Sequence, residues 1–502
     1  MSKSEFAIAE AFAILLRHGC PGIAAVCHSI VSEDEGFEVT APTTTHGNLI
    51  GERSTIVTME TFNLLRSGRL EPSNRLALNC GLTEFPVEIL DLADSLEILD
   101  LSNNRLNSLP DDFRRLTNLK AAFFFNNQFE EIPEVLAQCP QLSVIGFKSN
   151  RLRRVSAPSL SPVIRWLILT DNQIEQLPPE IGTLGKLQKL MLAGNRLRSL
   201  PDEMAACQNL ELIRLSANQL SSLPTWLLSL PRLAWLAYAG NPFCAKTSTA
   251  EHSLSTIDWS DLALENTLGQ GASGIISKGL WRVTQTQAKE VAIKVFKGKI
   301  TSDGLPIDEM QACIAAGSHP NLVTVLGQLV NHPNATAGLV LSLIPPDYKN
   351  LGHPPSLETC TRDIYPPDTV FSLADILCIA EGIASAVAHL HRQGIMHGDL
   401  YAHNILVNHH GHGLFGDFGA ASLYDAIAPS NGQALERLEV RALGCLLEDL
   451  LDHCDQQDAV SHAKVMARLR LLQQDCMHPT PCLRPLFASI CDRLASIQQD
   501  AD

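Results

Sequence analysis

A fifteen-residue pattern that returns every 22 or 23 residues is the feature that most limits how this chain can fold. The copy "LEILDLSNNRLNSLP" begins at Leu96, and further copies begin at Leu119, Leu142, Ile164, Leu187 and Leu210. A degenerate copy precedes the series, and "LAWLAYAGNPF" closes it. One such unit cannot close a hydrophobic core alone, so neighbouring units must stack. The repetition therefore predicts a solenoid over residues 70–244.

The shared form, L-x-x-L-x-L-x-x-N-x-L-x-x-L-P, resembles the leucine-rich repeat. That resemblance implies about eight repeats in an α/β solenoid, with a short strand in each repeat. The asparagine of the pattern is expected to bond the turning backbone and so to form a ladder between repeats. The ladder positions are Asn104, Asn127, Asn150, Asn172, Asn195 and Asn218.

Side chains between the core positions of each short strand are predicted to point outward onto the concave face of the solenoid. Many of them are apolar, and Arg214 is one of the charged exceptions. The apolar residues form what we call the concave ribbon: Phe123, Phe125, Val144, Trp166, Ile168, Met191, Leu212 and Trp235. A ribbon of this size marks an interface. We expect either a protein partner or docking of the region that follows; the alternative is coverage without a functional role.

A different set of motifs begins after the polar linker at residues 245–257. Gly269, Gly271 and Gly274 have G-x-G-x-x-G spacing, and the apolar strand "VAIKVF" that follows carries Lys294. A glycine-rich hairpin lets backbone amides approach phosphates, and a lysine on the next strand neutralises them. A dinucleotide site would share the glycines but would need a βαβ pattern, which this region lacks.

The segment "HGDLYAHN", residues 397–404, has the spacing H-x-D-x-x-x-x-N, and "DFG" follows at Asp417. The order of glycine loop, lysine, this segment and DFG resembles the eukaryotic-type protein kinase family over residues 258–495. The resemblance implies a bilobal α+β domain that uses ATP and Mg²⁺. With the repeats, the chain resembles a bacterial-style, soluble leucine-rich-repeat serine/threonine kinase, followed by a short tail at residues 496–502.

The resemblance also implies roles for individual residues. Asp399 would orient the substrate hydroxyl and accept its proton, and Lys294, tethered by Glu309, would hold the α- and β-phosphates. Asn404 and Asp417 would hold Mg²⁺. His397 and Phe418 are expected to be packed structural residues. The nucleotide would contact Leu268, Gly269, Gly271, Gly274, Ile276, Ala292, Lys294, Ser342, Leu343, Ile344 and Leu406.

Two residues of the 397–404 segment depart from the family. Gly398 replaces the arginine that receives an activation-loop phosphate in many kinases, so activity is expected not to depend on such phosphorylation. Tyr401 replaces the lysine that serine/threonine kinases place beside the γ-phosphate, which leaves His403 as the potential cation of the loop. Losing such a charge lowers the rate on the order of 10²-fold by analogy with other electrostatic partners.

The segment after DFG is also short: Glu439, where the next helix is predicted to begin, stands only 22 positions after Asp417. Glu436 is a candidate partner for Arg484. These departures keep two alternatives open. The first alternative is a small-molecule kinase, because "HGDL" followed by an asparagine also resembles the kinases that act on aminoglycosides and choline. The second alternative is a nucleotide-binding scaffold, or pseudokinase. These motifs do not indicate whether the substrate residue that accepts the phosphate is serine, threonine or tyrosine, because the lysine or arginine that distinguishes these classes is absent.

Composition and charge bound the remaining functions. The 502 residues predict two or three domains, and a formal net charge of −16 argues against nucleic acid as a partner. The fourteen cysteines are scattered along the chain, which is typical of reduced thiols. The sequence has no apolar run long enough to predict a membrane span, so we expect a cytoplasmic protein. Residues 1–69 carry a predicted helix at 5–17, and Met59 is a candidate translation start. The pattern leaves the oligomeric state open.

Overall fold

The computed structural model describes residues 59–244, 254–298, 300–425 and 429–501, with side chains from 432 onward in the last range. The helix predicted at residues 5–17 lies outside these ranges, as does most of the predicted linker. Two domains follow one another along the described chain. We call residues 59–244 the repeat domain and residues 254–501 the C-terminal domain.

The repeat domain is a parallel sheet of eight very short strands, stacked in sequence order behind a helix α1, Met59–Arg66. Each strand has three residues, and the register is regular, with Leu99 opposite Ala122 and Ile213 opposite Leu236. The strands are β1 Arg75–Ala77, β2 Ile98–Asp100, β3 Ala121–Phe123, β4 Val144–Gly146, β5 Trp166–Ile168, β6 Lys189–Met191, β7 Leu212–Arg214 and β8 Trp235–Ala237.

Short 3₁₀ helices form the convex side, and the proline of the repeat pattern explains where they begin. Pro110, Pro133 and Pro201 each directly precede one with φ near −65°, the value that the proline ring imposes. In these repeats the chain therefore leaves the extended state at the same point of the pattern, whereas Ser156 and Trp226 precede the 3₁₀ helices of two other repeats. The 3₁₀ helices are Val87–Leu92, Asp111–Arg115, Glu134–Gln138, Ala157–Ser159, Pro179–Thr183, Asp202–Ala206 and Leu227–Ser229.

The predicted asparagine ladder is confirmed. The Asn127 Nδ2 donates to the Leu101 carbonyl of the preceding repeat at 2.9 Å, and its Oδ1 accepts from the Leu106 amide at 2.9 Å. The same pair of bonds recurs at the other ladder positions and at Asn241. Because these amides are buried, each ladder bond satisfies a backbone group that would otherwise be left unpaired.

The C-terminal domain begins with a six-stranded sheet, which with its helices we call the N-terminal lobe. The strands are β9 Thr256–Asp258, β10 Leu262–Gln270, β11 Gly274–Arg282, β12 Ala288–Phe296, β13 Val325–Val330 and β14 Gly338–Ser342, with a 3₁₀ helix Trp259–Asp261. Their order in the sheet is β10-β11-β12-β14-β13-β9. The described α-helix of this lobe, α2, spans Pro306–Ala316 and packs beside the sheet.

The C-terminal lobe is mostly helical and is built around α3, Leu373–Arg392. The other helices are α4 Pro429–Asp452, α5 Gln456–Ser461, α6 Ala463–Cys476 and α7 Phe487–Ala501. Small sheets join β15 Lys349–Asn350, β17 Ile405–Val407 and β18 Gly413–Phe415, and β16 Ile395–Met396 with β19 Ser422–Leu423. Short 3₁₀ helices span Ala402–Asn404, Phe418–Ala420 and Pro481–Leu483. The solenoid followed by a bilobal α+β domain confirms the predicted fold class.

Two points differ from the sequence expectation. Helix α4 begins at Pro429 and not at Glu439, which lies well inside it. Helix α3 is long and apolar enough to cross a membrane, with a mean hydropathy of 1.6, although 61% of that segment is buried inside the protein. Ile379, Ile383 and Val387 are completely buried in the C-terminal lobe, so packing against protein explains the apolar composition of α3.

The concave ribbon and the C-terminal lobe share one hydrophobic core. Phe123, Trp166 and Trp235 are each at most 2% exposed and belong to the same cluster as Leu400 and Ala402. The rest of the ribbon is buried there as well. In this structure the ribbon is therefore an intramolecular interface, which was one of the predicted alternatives, and it presents no open face to a separate protein among the described residues.

Candidate active site

The two lobes of the C-terminal domain meet near a buried ion pair. Strand β12 carries Lys294, and helix α2 brings Glu309 against its Nζ. Burial by itself lowers the pKa of Lys294, but the negative charges of Glu309 and Asp417 outweigh burial and raise that pKa. Lys294 therefore stays protonated. A buried cation between two lobes, with carboxylates on either side, is suited to hold a polyphosphate.

The glycine hairpin stands beside this lysine. Strands β10 and β11 pair antiparallel with Gly269 opposite Ile276, and Ile276 is in turn opposite Lys294 on β12. The Gly271 amide donates to the Gly274 carbonyl at 2.9 Å across the turn. A Cβ added to Gly274 would lie 2.6 Å from the Val295 carbonyl oxygen, so only glycine allows this close approach of the two strands.

The other predicted nucleotide contacts lie on both lobes. Leu268 and Ala292 are buried in the N-terminal lobe, and Leu406 is buried on β17 of the C-terminal lobe. Ser342 ends β14, and Leu343 and Ile344 continue the chain toward the second lobe. These last three residues line a cavity of about 270 Å³ together with His319, Pro320 and Leu414.

We call residues 397–404 the catalytic loop, and within it Asp399 and Asn404 bind each other. The Asn404 Nδ2 donates to Asp399 Oδ2 at 2.9 Å and to the Asp399 carbonyl at 3.0 Å. Burial raises the pKa of the Asp399 carboxyl, and the guanidinium of Arg214 counteracts that effect. A carboxylate held in this way has the chemistry of a base that orients a hydroxyl group.

Helix α4 and the residues just before DFG hold the catalytic loop on its buried side. Glu439 accepts from the Gly398 amide at 2.7 Å and from the His397 amide at 3.2 Å. The His397 Nε2 is 3.0 Å from the Gly416 carbonyl, and its ring stacks on Phe415 at a centroid distance of 3.9 Å. His397 is completely buried, so it is a packed structural residue, as expected from the sequence.

His403 does not take the place of the missing lysine. Its Nδ1 lies 2.7 Å from Asp363 Oδ1, and the other oxygen of Asp363 accepts from the Ala402 amide at 2.6 Å. Burial lowers the pKa of His403, but Asp363 outweighs burial and raises it. The positive charge of His403 is therefore engaged in holding the end of the catalytic loop.

The cation beside Asp399 comes instead from the repeat domain. The Arg214 Nη2 is 2.5 Å from Asp399 Oδ1, Nη1 donates to the Gly398 carbonyl at 2.9 Å, and Nε donates to Asp303 at 2.6 Å. The Arg214 side chain is 2% exposed. The sequence placed Arg214 on the concave face but gave it no role; a lone arginine among apolar ribbon residues is the signal that could have drawn attention to it.

The docked repeat domain also explains why the catalytic loop departs from the kinase pattern at Gly398 and Tyr401. Gly398 has φ of 74°, and a Cβ at this position would collide with the Leu236 carbonyl of strand β8. The family arginine therefore cannot fit while the repeat domain is docked. The Tyr401 ring stacks on Trp235 with centroids 4.4 Å apart. Glycine and tyrosine at these positions are complementary to the solenoid.

The suggested pairing of Glu436 with Arg484 is wrong. Glu436 Oε1 accepts from the Phe487 amide at 2.7 Å. Arg484 donates to the carbonyls of His478, Arg437 and Pro231, the last at 2.6 Å. Pro231 belongs to the repeat domain, so Arg484 also joins the two domains. Neither residue could be placed from the sequence, because Glu436 binds the backbone of Phe487 and Arg484 binds the backbone of Arg437 and Pro231, all in distant segments.

Asn404 and Asp417 fit a magnesium ion by their chemistry. Both Asn404 bonds to Asp399 use the amide nitrogen, which leaves the amide oxygen as the atom suited to a cation. Asp417 is exposed, has φ of 58°, and interacts electrostatically with Lys294. Mg²⁺ is commonly bound through one or two protein oxygens together with phosphate and water. These two residues therefore match the ligand set that the ion needs.

Comparison with known proteins agrees with this geometry. Residues 262–448 match the family model described as protein tyrosine and serine/threonine kinase, and residues 185–243 and 95–116 match leucine-rich repeat models. The chain is similar to probable serine/threonine-protein kinase gdt4 of Dictyostelium discoideum, with 32% identity over 30% of this chain and 8% of the relative.

Two further relatives are also named as kinases. Serine/threonine-protein kinase PITSLRE of Drosophila melanogaster is 28% identical over 32% of this chain and 16% of its own length. Cyclin-dependent kinase 10 of Homo sapiens is 27% identical over 38% of this chain and 54% of its own length. The chain therefore spans about half, or much less, of the length of these relatives.

Proposed function

Because the chain combines leucine-rich repeats with a protein kinase domain, we propose that it transfers the γ-phosphate of ATP to a serine or threonine hydroxyl of a protein. The observation that carries the proposal is the placement of two pairs in one domain: Lys294 with Glu309, and Asp399 with Asn404. A nucleotide scaffold needs the first pair to hold ATP but has no chemical use for the second.

Each residue has a defined part in the proposed reaction. Lys294 neutralises the α- and β-phosphates and is itself held by Glu309. Asp399 orients the acceptor hydroxyl and takes its proton as the oxygen attacks the γ-phosphorus. Asn404 and Asp417 would hold Mg²⁺, which offsets the negative charge of the phosphates. Most of the catalysis in this scheme is positioning and electrostatic stabilisation.

We also infer that this activity needs no phosphate on the segment after DFG. The family arginine that would bind such a phosphate is replaced by Gly398, and the loop is already held by Glu439 and Asp363. A preformed set of backbone bonds removes the need for an added charge to order the loop.

A phosphotransferase for a small molecule is the second candidate. The repeat domain covers the outer side of the catalytic loop, where Tyr401 is 5% exposed and Leu400 is 1% exposed. A bulky folded acceptor would have little surface on which to rest there. A small hydroxylated molecule, or a flexible protein segment, would need less room to reach Asp399.

The test uses the full chain with radiolabelled ATP and Mg²⁺, generic protein acceptors, and a panel of aminoglycosides and choline. Asp399→Asn removes the base, and Asp368→Asn, the same change at an exposed site of the same lobe, is the matched control. Label on protein serine or threonine in the wild type and control, but not in Asp399→Asn, supports the proposal. Label that appears on the small molecules alone overturns it in favour of the second candidate.

A further inference from the structure

The side chain of Arg214 crosses from the repeat domain to the catalytic loop and is fixed at three points. Its guanidinium contacts Asp399 at 2.5 Å, the Gly398 carbonyl at 2.9 Å and Asp303 at 2.6 Å. Strand β7 supplies the residue, and the buried core around it holds the strand in place. A guanidinium with three directional partners cannot rotate freely, so its charge stands at a defined position beside the carboxylate.

We propose that Arg214 is a positioning residue of the kinase reaction: the repeat domain supplies the cation that the catalytic loop lacks. The inference rests on the proposed function. Within residues 397–404 the basic side chains are His397 and His403, and both are already bonded elsewhere, to Gly416 and Asp363. Arg214 holds Oδ1 of Asp399 while Asn404 holds Oδ2, so the carboxylate is oriented from both sides.

The opposite reading is that Arg214 caps the base and that activity requires the repeat domain to leave. The size of the interface argues against a simple release. The whole concave ribbon is buried in one core with the C-terminal lobe, so undocking the repeat domain would expose all eight of its apolar side chains to water at once. We therefore take the docked state as the working state.

The kinase side of the interface is shaped for permanent docking. Gly398 leaves room for the Leu236 carbonyl, and Gly304, with φ of 155°, lets its loop approach Ser216 of the repeat domain. Lys148 of the repeat domain lies 3.4 Å from Ser302 on the same loop. The loop that carries Asp303 is thus fixed against the solenoid, and it leads directly into helix α2 and Glu309.

Docking also leaves the nucleotide side of the site assembled. The ion pair of Lys294 with Glu309 and the bond of Asn404 to Asp399 are both present together with the Arg214 contact. Asp399 retains 18% exposure of its side chain, and Asp417 is exposed. A cap that inactivated the enzyme by displacing these groups would not leave them in this arrangement.

The experiment compares Arg214→Met, Arg214→Lys and Arg165→Met in the full chain. Arg165 is the matched control because it also lies in the repeat domain and donates across the interface, to the Glu358 carbonyl at 3.0 Å, away from Asp399. Single-turnover rate, KM for the acceptor, Kd for MgATP and the pH dependence of kcat are measured for each variant. Asp303→Asn, which keeps Arg214 but removes the charge of one of its anchors, is included in case Arg214→Met does not fold.

We expect Arg214→Met to lower kcat on the order of 10²-fold, while Kd for MgATP stays within about twofold. Arg214→Lys should recover part of the loss because it keeps the charge. The acid limb of the kcat profile should move to higher pH in Arg214→Met, since Asp399 loses its counter-charge. Arg165→Met should leave all four quantities unchanged, and Asp303→Asn should show a smaller loss than Arg214→Met.

Three results overturn the inference. An increase of kcat in Arg214→Met means that Arg214 is an inhibitory cap. An unchanged kcat and pH profile mean that its role is confined to the interface. If the wild type binds MgATP but transfers no phosphate to protein and Arg214→Met does not either, the proposed function itself fails, and the positioning role fails with it.

Discussion

The indole of Trp235 in the repeat domain lies flat on the ring of Tyr401 in the catalytic loop, with centroids 4.4 Å apart and planes inclined by 6°. The Trp235 Nε1 donates to the Leu400 carbonyl at 3.0 Å, so the stack is also anchored in the plane of the indole. One aromatic residue from each domain thus fills the interface next to Asp399. The two domains share a core at the point where chemistry is proposed to occur.

Trp235→Ala should lower the free energy of unfolding by about 3–5 kcal/mol, because it leaves a cavity beneath Tyr401. Denaturant unfolding measures the loss. Trp226→Ala is the matched control: this half-buried residue lies in the preceding repeat and donates to Asp202 at 3.1 Å, away from the interface. We expect the control to cost only about 1 kcal/mol. Equal losses in the two variants would show that the stack adds nothing to stability.

Features set by local spacing were predictable from the sequence. The period of the repeats fixed the stacking, and the buried asparagines formed the predicted ladder because each needs partners in the preceding repeat. The alternation within three-residue strands placed Trp166 and Trp235 on the concave face. The same local reasoning placed Lys294 on a strand beside the glycine hairpin, because a strand of the pattern "VAIKVF" must pair with its neighbour.

Contacts between distant segments were not predictable in this way. Arg214 and Asp399 are separated by 185 residues, and no local period relates them. The engagement of His403 by Asp363 and of Arg484 by the Pro231 carbonyl likewise depends on chain segments brought together only by the fold. Gly398 and Tyr401 looked like losses in isolation because the surface to which they are complementary belongs to another domain.

Gly398→Ala should destabilise the protein more than Gly81→Ala does. Both glycines have positive φ, 74° and 71°, so both alanine variants carry backbone strain of about 1–2 kcal/mol. Only at position 398 does the new Cβ meet the Leu236 carbonyl; at position 81 it meets open space. The additional loss, about 1–3 kcal/mol, should appear in thermal or denaturant unfolding. If the two variants unfold alike, the repeat domain does not press on the catalytic loop.

Glu439→Gln should change how the free energy of unfolding depends on pH in the acidic range. Burial alone would raise the pKa of Glu439, but a bond from His391 and those from the loop amides outweigh burial and lower it below 4.5. The ionised form is therefore favoured in the folded state. Its contribution is fully present above pH 4.5 and is lost as the pH falls through the lower value of the folded protein.

At pH 7 Glu439→Gln should cost about 2–3 kcal/mol, because the amide replaces a charged acceptor of buried backbone bonds. Below pH 4.5 the difference from the wild type should shrink, since the wild-type carboxylate becomes neutral. Unfolding free energies between pH 3 and pH 7 measure the difference. Glu175→Gln, at an exposed position of the repeat domain, should leave the profile unchanged. A constant difference across this range would contradict the proposed linkage.

Asp417→Asn should raise the Mg²⁺ concentration needed for half-maximal phosphate transfer and lower the rate at saturation. Asp417 is exposed next to Lys294 and supplies the one carboxylate of the candidate metal site. The asparagine amide therefore takes away the negative charge that would face the ion. We expect a loss on the order of 10²-fold in rate at fixed Mg²⁺. A Mg²⁺ titration of activity and of nucleotide binding measures both effects.

Asp347→Asn is the control for this titration, because Asp347 is 41% exposed and lies 3.4 Å from His409, outside the candidate site. It should titrate with Mg²⁺ as the wild type does. Full activity of Asp417→Asn at the wild-type Mg²⁺ requirement would remove Asp417 from the metal site. The Asn404 oxygen would then need a different second ligand, because a single neutral amide does not hold a divalent cation against water.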